Sequence, residues 1–138
     1  MAMDWRPLLS LDDGYACRPG VSGSAISAAE ARLRTPFPLA LRELLAASDG
    51  VFDRAGQWFV LWPLARIVEN NEDAWAAGTP VRRELLGFGD DGTGAPFCVR
   101  LDGSSDVFIW SPIEGAAVRL ADDLACFWSA WAANVIST

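Results

Sequence analysis

The chain of 138 residues contains no histidine and no lysine. The lack of histidine excludes Ser-His and Cys-His nucleophile pairs, histidine general bases and histidine metal ligands. Any catalytic chemistry would therefore depend on carboxylates. All positive side chains are arginines, 11 in number, and they face 18 acidic residues, which gives a net charge of −7.

This acidic balance argues against two classes of partner. Nucleic-acid binding needs clustered basic side chains that contact phosphates, and anionic membrane surfaces attract basic segments. We therefore predict no nucleic-acid partner and no membrane partner. A basic protein is favoured, because opposite charge accelerates association. The alternative interpretation is that the acidity only keeps the chain soluble.

Cysteine is scarce, and long hydrophobic runs are absent. Cys17, Cys98 and Cys126 are far apart and form no C-x-x-C pair, so we expect reduced thiols, no metal site and no cofactor. The N-terminus has no basic segment followed by an apolar one, so it does not resemble a signal peptide. No apolar run approaches the roughly 20 residues of a membrane span. We expect a cytoplasmic protein.

The apolar residues recur at helical spacing in four stretches. Ser22 or Ser24 is suited to cap the first helix, and Pro38 is suited to begin the second. Asp49 and Gly50 provide a stop for the second helix. The helices are predicted over residues 22–34, 38–48, 64–77 and from 124 onward, with faces formed by Ile26, Ala29, Leu33, Leu41, Leu44, Leu45, Leu64, Ile67, Val68, Asn71, Trp75, Leu124, Phe127, Trp128, Trp131 and Val135.

Between the third and fourth helices the period changes from 3.6 residues to about 2, which is typical of half-buried antiparallel strands. One strand is predicted at residues 57–62, before the third helix. Four more are predicted after it, at residues 85–88, 97–101, 107–110 and 118–120, and these form a meander of hairpins. The order predicts an α+β fold in which N-terminal helices precede an antiparallel β-meander sheet and a C-terminal helix packs on that sheet. We expect residues 1–20 to be irregular and residues 21–138 to form a single domain.

Two polar segments and one basic pair allow more than one interpretation. Residues 90–94 (DDGTG) could form a cation loop or a paired-carboxylate site, but they lack the EF-hand spacing. We interpret them as a hairpin turn, which needs Asp and Gly. Residues 69–73 are either a solvated helix face or a binding surface. Arg82 and Arg83 are predicted on the surface.

The tryptophans are predicted mainly in the core. Trp128 and Trp131 lie on the apolar face of the last helix, and Trp58 and Trp62 share one face of a strand. Large aromatic side chains bury more area than other residues, which favours this interpretation. Trp5 lies outside any periodic segment, so the sequence leaves its role open between a packed anchor and an exposed contact.

The motifs and their order resemble the SUKH superfamily, which includes Smi/Knr-like proteins and many bacterial immunity proteins. Residues 21–26 are similar to the start of its first helix, and residues 38–45 with 48–50 are similar to its "P-x-x-Y/L-R-x-F/L-L … S/N-x-G" stretch. Residues 62–64 resemble its strand-to-helix junction, and residues 88–94 resemble its "F-G-D-x-G-x-G" hairpin. The resemblance also includes Glu30, Leu33, Ile67, Asn71, Phe97, Val107, Trp110, Leu120, Ala121, Asp122, Asp123, Leu124 and Phe127.

This resemblance implies a non-catalytic, protein-binding domain. The role it favours is that of an immunity protein that neutralises a cognate polymorphic toxin, with nucleases among the toxins expected. The alternative is an intracellular adaptor that binds an endogenous protein or peptide, and a carboxylate-dependent enzyme centred on residues 90 and 91 is a third hypothesis. We predict partner contacts at acidic residues in loops or on a polar helix face, namely Asp49, Asp53, Glu72, Asp73, Asp90 and Asp91.

Overall fold

The computed structural model describes residues 15–53 and 58–132 of the chain. The predictions for Trp5, Val135 and the side chain of Trp131 lie outside the described residues. The described part contains the helices α1 (Gly23–Leu33), α2 (Leu39–Ala47), α3 (Leu64–Ala77), α4 (Pro80–Arg83) and α5 (Leu124–Ala132), and the strands β1 (Tyr15–Cys17), β2 (Val51–Asp53), β3 (Trp58–Leu61), β4 (Leu85–Asp90), β5 (Pro96–Arg100), β6 (Val107–Ser111) and β7 (Ala116–Ala121).

The ends of the two N-terminal helices are set by capping residues and by proline. The Ser22 hydroxyl accepts a hydrogen bond from the backbone N–H of Ala25 at 3.2 Å and so caps α1. Arg34 ends α1 in the left-handed conformation, with φ of 59°. Pro38 precedes α2, whose buried face is formed by leucines. The helix-loop-helix start predicted from the sequence is therefore confirmed.

The strands form two antiparallel sheets, ordered β1-β2-β3 and β4-β5-β6-β7. The sheets meet at β3 and β4. There the backbone N–H of Trp62, the residue after β3, donates to the backbone carbonyl of Phe88 at 2.8 Å. Gly89 is needed at this contact, because a Cβ there would collide with the carbonyl of Val60. The pairing of β4 with β5 shifts register between Gly87 and Gly89. The close approach of backbones thus depends on glycine in β4.

Three short elements differ from the sequence predictions. Strand β1 lies inside residues 1–20, which we expected to be irregular, because its backbone pairs with β2. Strands β1 and β2 each have three residues and helix α4 has four. Segments of that length are too short to show a hydrophobic period, and tertiary pairing determines their conformation.

The core lies between the helices and the sheets and centres on three phenylalanines. The ring of Phe127 in α5 lies 5.8 Å from that of Phe88 in β4 and 4.8 Å from that of Phe97 in β5, between centroids. Each of the three side chains is 0% exposed. The packing of the C-terminal helix on the sheet and the α+β fold class are therefore confirmed. Trp128 is also buried, as predicted.

Two polar residues are buried contrary to the surface interpretation. Asn71 is 0% exposed and Arg82 is 4% exposed, so residues 69–73 are not one solvated face. The Asn71 amide donates to the carbonyl of Gly87 at 2.8 Å and accepts from its N–H at 2.8 Å. Arg82 donates to the carbonyl of Leu85 at 2.7 Å. Both side chains complete backbone hydrogen bonding beside the irregular register of β4. The burial of Asn71 agrees with its position on the predicted apolar face of the third helix, whereas no sequence period indicates the burial of Arg82.

Candidate functional site

The most prominent concave feature with aromatic walls is a groove between α3, β3 and the hairpin turn after β4. It comprises two adjoining pockets with volumes of about 540 Å³ and about 480 Å³. Both pockets are lined by Trp62, Asn70 and Asp90, so the two pockets meet at these side chains. We define the aromatic groove by Phe52, Trp58, Phe59, Trp62, Arg66, Asn70, Arg82, Asp90, Trp110 and Pro112.

Asp90 lies at the centre of the aromatic groove and is half-buried. Its Oδ2 accepts a hydrogen bond from the indole N–H of Trp62 at 2.9 Å, and its Oδ1 accepts one from the backbone N–H of Gly92 at 2.8 Å. The carboxylate is thus held in one orientation by a side chain on the sheet and by its own turn. Among the described residues, no arginine forms an ion pair with Asp90.

The turn after β4 is fixed by its own side chains and by Trp58. The Asp91 Oδ1 accepts from the backbone N–H and the hydroxyl of Thr93, at 2.9 Å and 2.6 Å. Gly92 has φ of +89°, and a Cβ at this position would lie 2.8 Å from the Trp58 ring. The turn therefore packs directly against the aromatic wall of the groove. The interpretation of residues 90–94 as a hairpin turn is confirmed.

The two arginines of the groove are each held by a contact with the domain. The Arg66 guanidinium lies over the ring of Phe59, 5.4 Å from its centroid. Arg82 is almost fully buried, and besides its bond to Leu85 it donates to the Asn71 Oδ1 at 3.4 Å. Asp90 thus differs from both arginines in its position, because it lies at the junction of the two pockets. The exposed Arg66 and the buried Arg82 each line only one of them.

A smaller pocket of about 410 Å³ lies between the start of α2 and the loop after β5. It contains two charged side chains, and both have contacts within the domain. The Arg100 guanidinium lies over the ring of Phe108, 4.7 Å from its centroid. The Asp123 carboxylate accepts from the backbone N–H of Cys126 at 2.7 Å and so caps α5. Because both charges serve the fold, we assign the candidate site to the aromatic groove.

The acidic residues predicted as partner contacts lie on different elements of the fold. Asp49 is half-buried and its Oδ1 accepts from the Leu64 N–H at 2.7 Å, which caps α3. Glu72 forms an ion pair with Arg32 at 2.7 Å, on the side of α3 that faces α1. Asp73 is exposed on α3.

The groove contains only part of the predicted set. Asp90 lines it, Asp91 follows in the same turn, and the side chain of Asp53 lies outside the described residues. Glu72 lies two positions from the groove residue Asn70 and therefore about 200° around the helix from it. The prediction of partner contacts at these acidic residues stays a prediction.

Two of the three cysteines, Cys98 and Cys126, offer little nucleophilic chemistry. Burial raises the pKa of the Cys98 thiol to about 12, although the nearby Arg82 charge opposes the shift. The hydrogen bond and the charge of Asp123 raise the pKa of the exposed Cys126 thiol. Thiolate is the nucleophilic form, so both residues are disfavoured as nucleophiles at neutral pH. Within residues 15–53 and 58–132, no group of three cysteine or acidic side chains is placed to hold a metal ion.

The N-terminal helices are followed by an antiparallel meander and a covering C-terminal helix, and the groove lies beside the F-G-D hairpin. This arrangement is that of a SUKH-type domain. Residues 20–129 match the sequence profile of the SMI1 / KNR4 family (SUKH-1), and the chain therefore belongs to this family. Members of the family are generally non-catalytic. No curated protein matches the chain. None of the helices in the described part is long and apolar enough to cross a membrane.

Sequence reasoning missed most of the groove. It placed Trp62 in the core, where its ring is 6% exposed, but did not show that its indole N–H faces Asp90. Trp58 is only half-buried, since it packs against the core from the groove side. Nothing in the sequence pattern indicated that Arg82 lines the groove from a buried position, because that position follows from tertiary contacts.

Proposed function

We propose that this chain is a cytoplasmic immunity protein that binds and neutralises a cognate toxin, and that the aromatic groove is its binding surface. The observation that carries the proposal is the half-buried, oriented carboxylate of Asp90 between aromatic walls. Family membership supports a binding role. The groove contains no arrangement of acid, base and nucleophile that would favour catalysis over binding.

The residue types of the groove are suited to a protein partner. Tryptophan and other aromatic residues dominate binding energy at protein interfaces, where they fill desolvated positions. Trp58, Phe52 and Phe59 retain exposed area at one end of the groove. Burial of that remaining area by a partner would stabilise the complex by roughly 25 cal/mol per Å² of apolar surface.

The charge of the chain supports a basic partner. A net charge of −7 attracts a basic protein at long range and raises the association rate. Toxins that act on nucleic acid need basic surfaces to contact phosphates. An acidic protein that covers such a surface would block access of the substrate.

The test begins with capture from the source cell, with the products of the adjacent genes co-expressed. Recovery of a basic protein that is toxic alone and harmless together with this chain would establish immunity. Recovery of a non-toxic cellular protein instead would favour the adaptor role. Failure to bind any of these proteins would refute the binding function.

The groove is tested with charge-matched variants. The double variant Asp90→Asn with Asp91→Asn removes two charges at the groove, whereas Glu84→Gln with Asp102→Asn removes two exposed charges that line a different pocket. We expect the first pair to slow association at low salt by about tenfold and the control pair to slow it much less. Equal rates for the two pairs would contradict the assignment of the groove.

A further inference from the structure

We propose that Asp90 binds the guanidinium group of an arginine side chain of the protein partner, held within the aromatic groove. This inference rests on the proposed protein-binding function and names the chemistry that the site recognises. It follows from three observations. Asp90 has acceptor positions that are not used, aromatic side chains lie beside it, and both arginines of the groove already contact other residues of the domain.

The carboxylate of Asp90 is oriented but not saturated. One of its oxygens accepts a hydrogen bond from the Trp62 indole at 2.9 Å, and the other accepts one from the Gly92 N–H at 2.8 Å. An ionised carboxylate has about four acceptor positions, so about two remain. The two bonds already fix the plane of the carboxylate. A ligand that binds the remaining acceptor positions therefore causes no further loss of side-chain freedom at Asp90. A donor that brings two parallel N–H groups matches this geometry.

The walls of the groove favour a flat cation. Trp58 and Phe52 are half-buried and line one of the two pockets together with Asp90. Trp62 and Trp110, which line the other pocket, are 6% and 7% exposed. A guanidinium is planar, weakly hydrated and stacks on aromatic rings, whereas an ammonium is compact and strongly hydrated. The attraction between a cation and an aromatic face adds to the charge-assisted hydrogen bonds. The site is therefore expected to prefer arginine over lysine.

The arginines in the groove do not favour an anionic ligand instead. Arg82 is 4% exposed, and its guanidinium donates inward to Leu85 and Asn71. Arg66 is exposed, and its guanidinium lies over the Phe59 ring in the second pocket. Asp90 is the charged residue that both pockets share. With a chain charge of −7 in addition, the complementary group is a cation.

The experiment uses the full chain and two capped tripeptides, one with arginine between two leucines and one with citrulline in place of arginine. Citrulline has nearly the same shape but no charge. NMR spectra of the N–H groups report on the site, because the Trp62 indole and the Gly92 amide both donate to Asp90. The Trp62 signal is assigned with Trp62→Phe.

We expect the arginine peptide to shift the Trp62 and Gly92 signals and to bind about tenfold or more tightly than the citrulline peptide, as a charge-assisted bond implies. Asp90→Asn should remove this preference, and Glu84→Gln should preserve it. Equal binding of both peptides to the unmodified chain, or shifts that avoid Trp62 and Gly92, would overturn the inference, and this comparison needs no variant.

The outcome is distinguishable from that of the capture experiment. A chain that recovers its protein partner but shows no preference for the arginine peptide contradicts only the guanidinium site. A chain that prefers the arginine peptide but recovers no protein partner supports the guanidinium site and contradicts the proposed function.

Discussion

Replacement of Asn71 by alanine should reduce stability far more than the same change at its neighbour Asn70. The Asn71 amide bonds both the N–H and the carbonyl of Gly87, at 2.8 Å each, and both groups are buried. Each buried backbone group left without a partner costs about 1–3 kcal/mol. Alanine is the better helix former by roughly 0.6 kcal/mol, which offsets part of the loss. The expected net loss in unfolding free energy is about 2–5 kcal/mol.

The measurement is urea-induced unfolding of the two variants and the unmodified chain. Asn70→Ala is the matched control, because Asn70 is half-exposed on the same helix. The helix preference for alanine should make its effect a gain of at most about 0.6 kcal/mol. A loss below about 1 kcal/mol for Asn71→Ala would refute the argument that this amide completes the backbone pairing of β4. The double variant with Arg82→Met should show coupling of about 0.5–3 kcal/mol, since the two side chains share a hydrogen bond.

Two further predictions concern a glycine and a thiol. Gly92→Ala should cost about 2–4 kcal/mol and Gly94→Ala about 1 kcal/mol in unfolding free energy, because both have positive φ but only the first would place a Cβ against Trp58. Equal losses would contradict the packing of the turn on that ring. Cys98 has a pKa of about 12 in the folded chain, whereas a cysteine thiol in the unfolded chain ionises with a pKa of about 8.5. Its stabilising contribution is therefore complete below about pH 8.5 and is lost as the pH rises toward the folded pKa, by roughly 1.4 kcal/mol per pH unit. Unfolding measured from neutral to alkaline pH should show a shallower decline in Cys98→Ala, and identical slopes would contradict the burial of this thiol.

The sequence was sufficient to predict the elements whose side-chain periods extend over several residues. The leucines of α2 required no knowledge of neighbours, because burial on one face imposes the spacing. The alternation of Phe97 and Val99 predicted the strand β5 but was wrong in predicting a half-buried one, since Cys98 between them is also 0% exposed. The hairpin at residues 90–94 was also predictable, since Asp and Gly favour its backbone conformation. These features depend on local chemistry.

The groove could not be predicted in the same way. Its parts come from β2, β3, α3, α4, the end of β4 and the end of β6 with the loop after it, so the sequence distance between them is large. Asp90 was predicted as a contact, but its orientation by Trp62 depends on the meeting of β3 with β4. The helical period placed Asn71 on the apolar face of its helix but did not indicate its bonds to Gly87. Arg82 was predicted on the surface, and its burial follows from the backbone groups that the irregular register of β4 leaves open. Such matching of a side chain to a distant backbone group has no period to detect.

The contact between β3 and β4 has a consequence for how the domain unfolds. The hydrogen bond from Trp62 to Phe88, together with the close fit of Gly89 against Val60, joins the two sheets across the helices that separate them in the chain. If the contact between β3 and β4 breaks, the indole of Trp62 also separates from Asp90, and the core between the sheets becomes exposed to water. We therefore expect the two sheets to unfold together and the groove to be lost in the same cooperative transition as the fold.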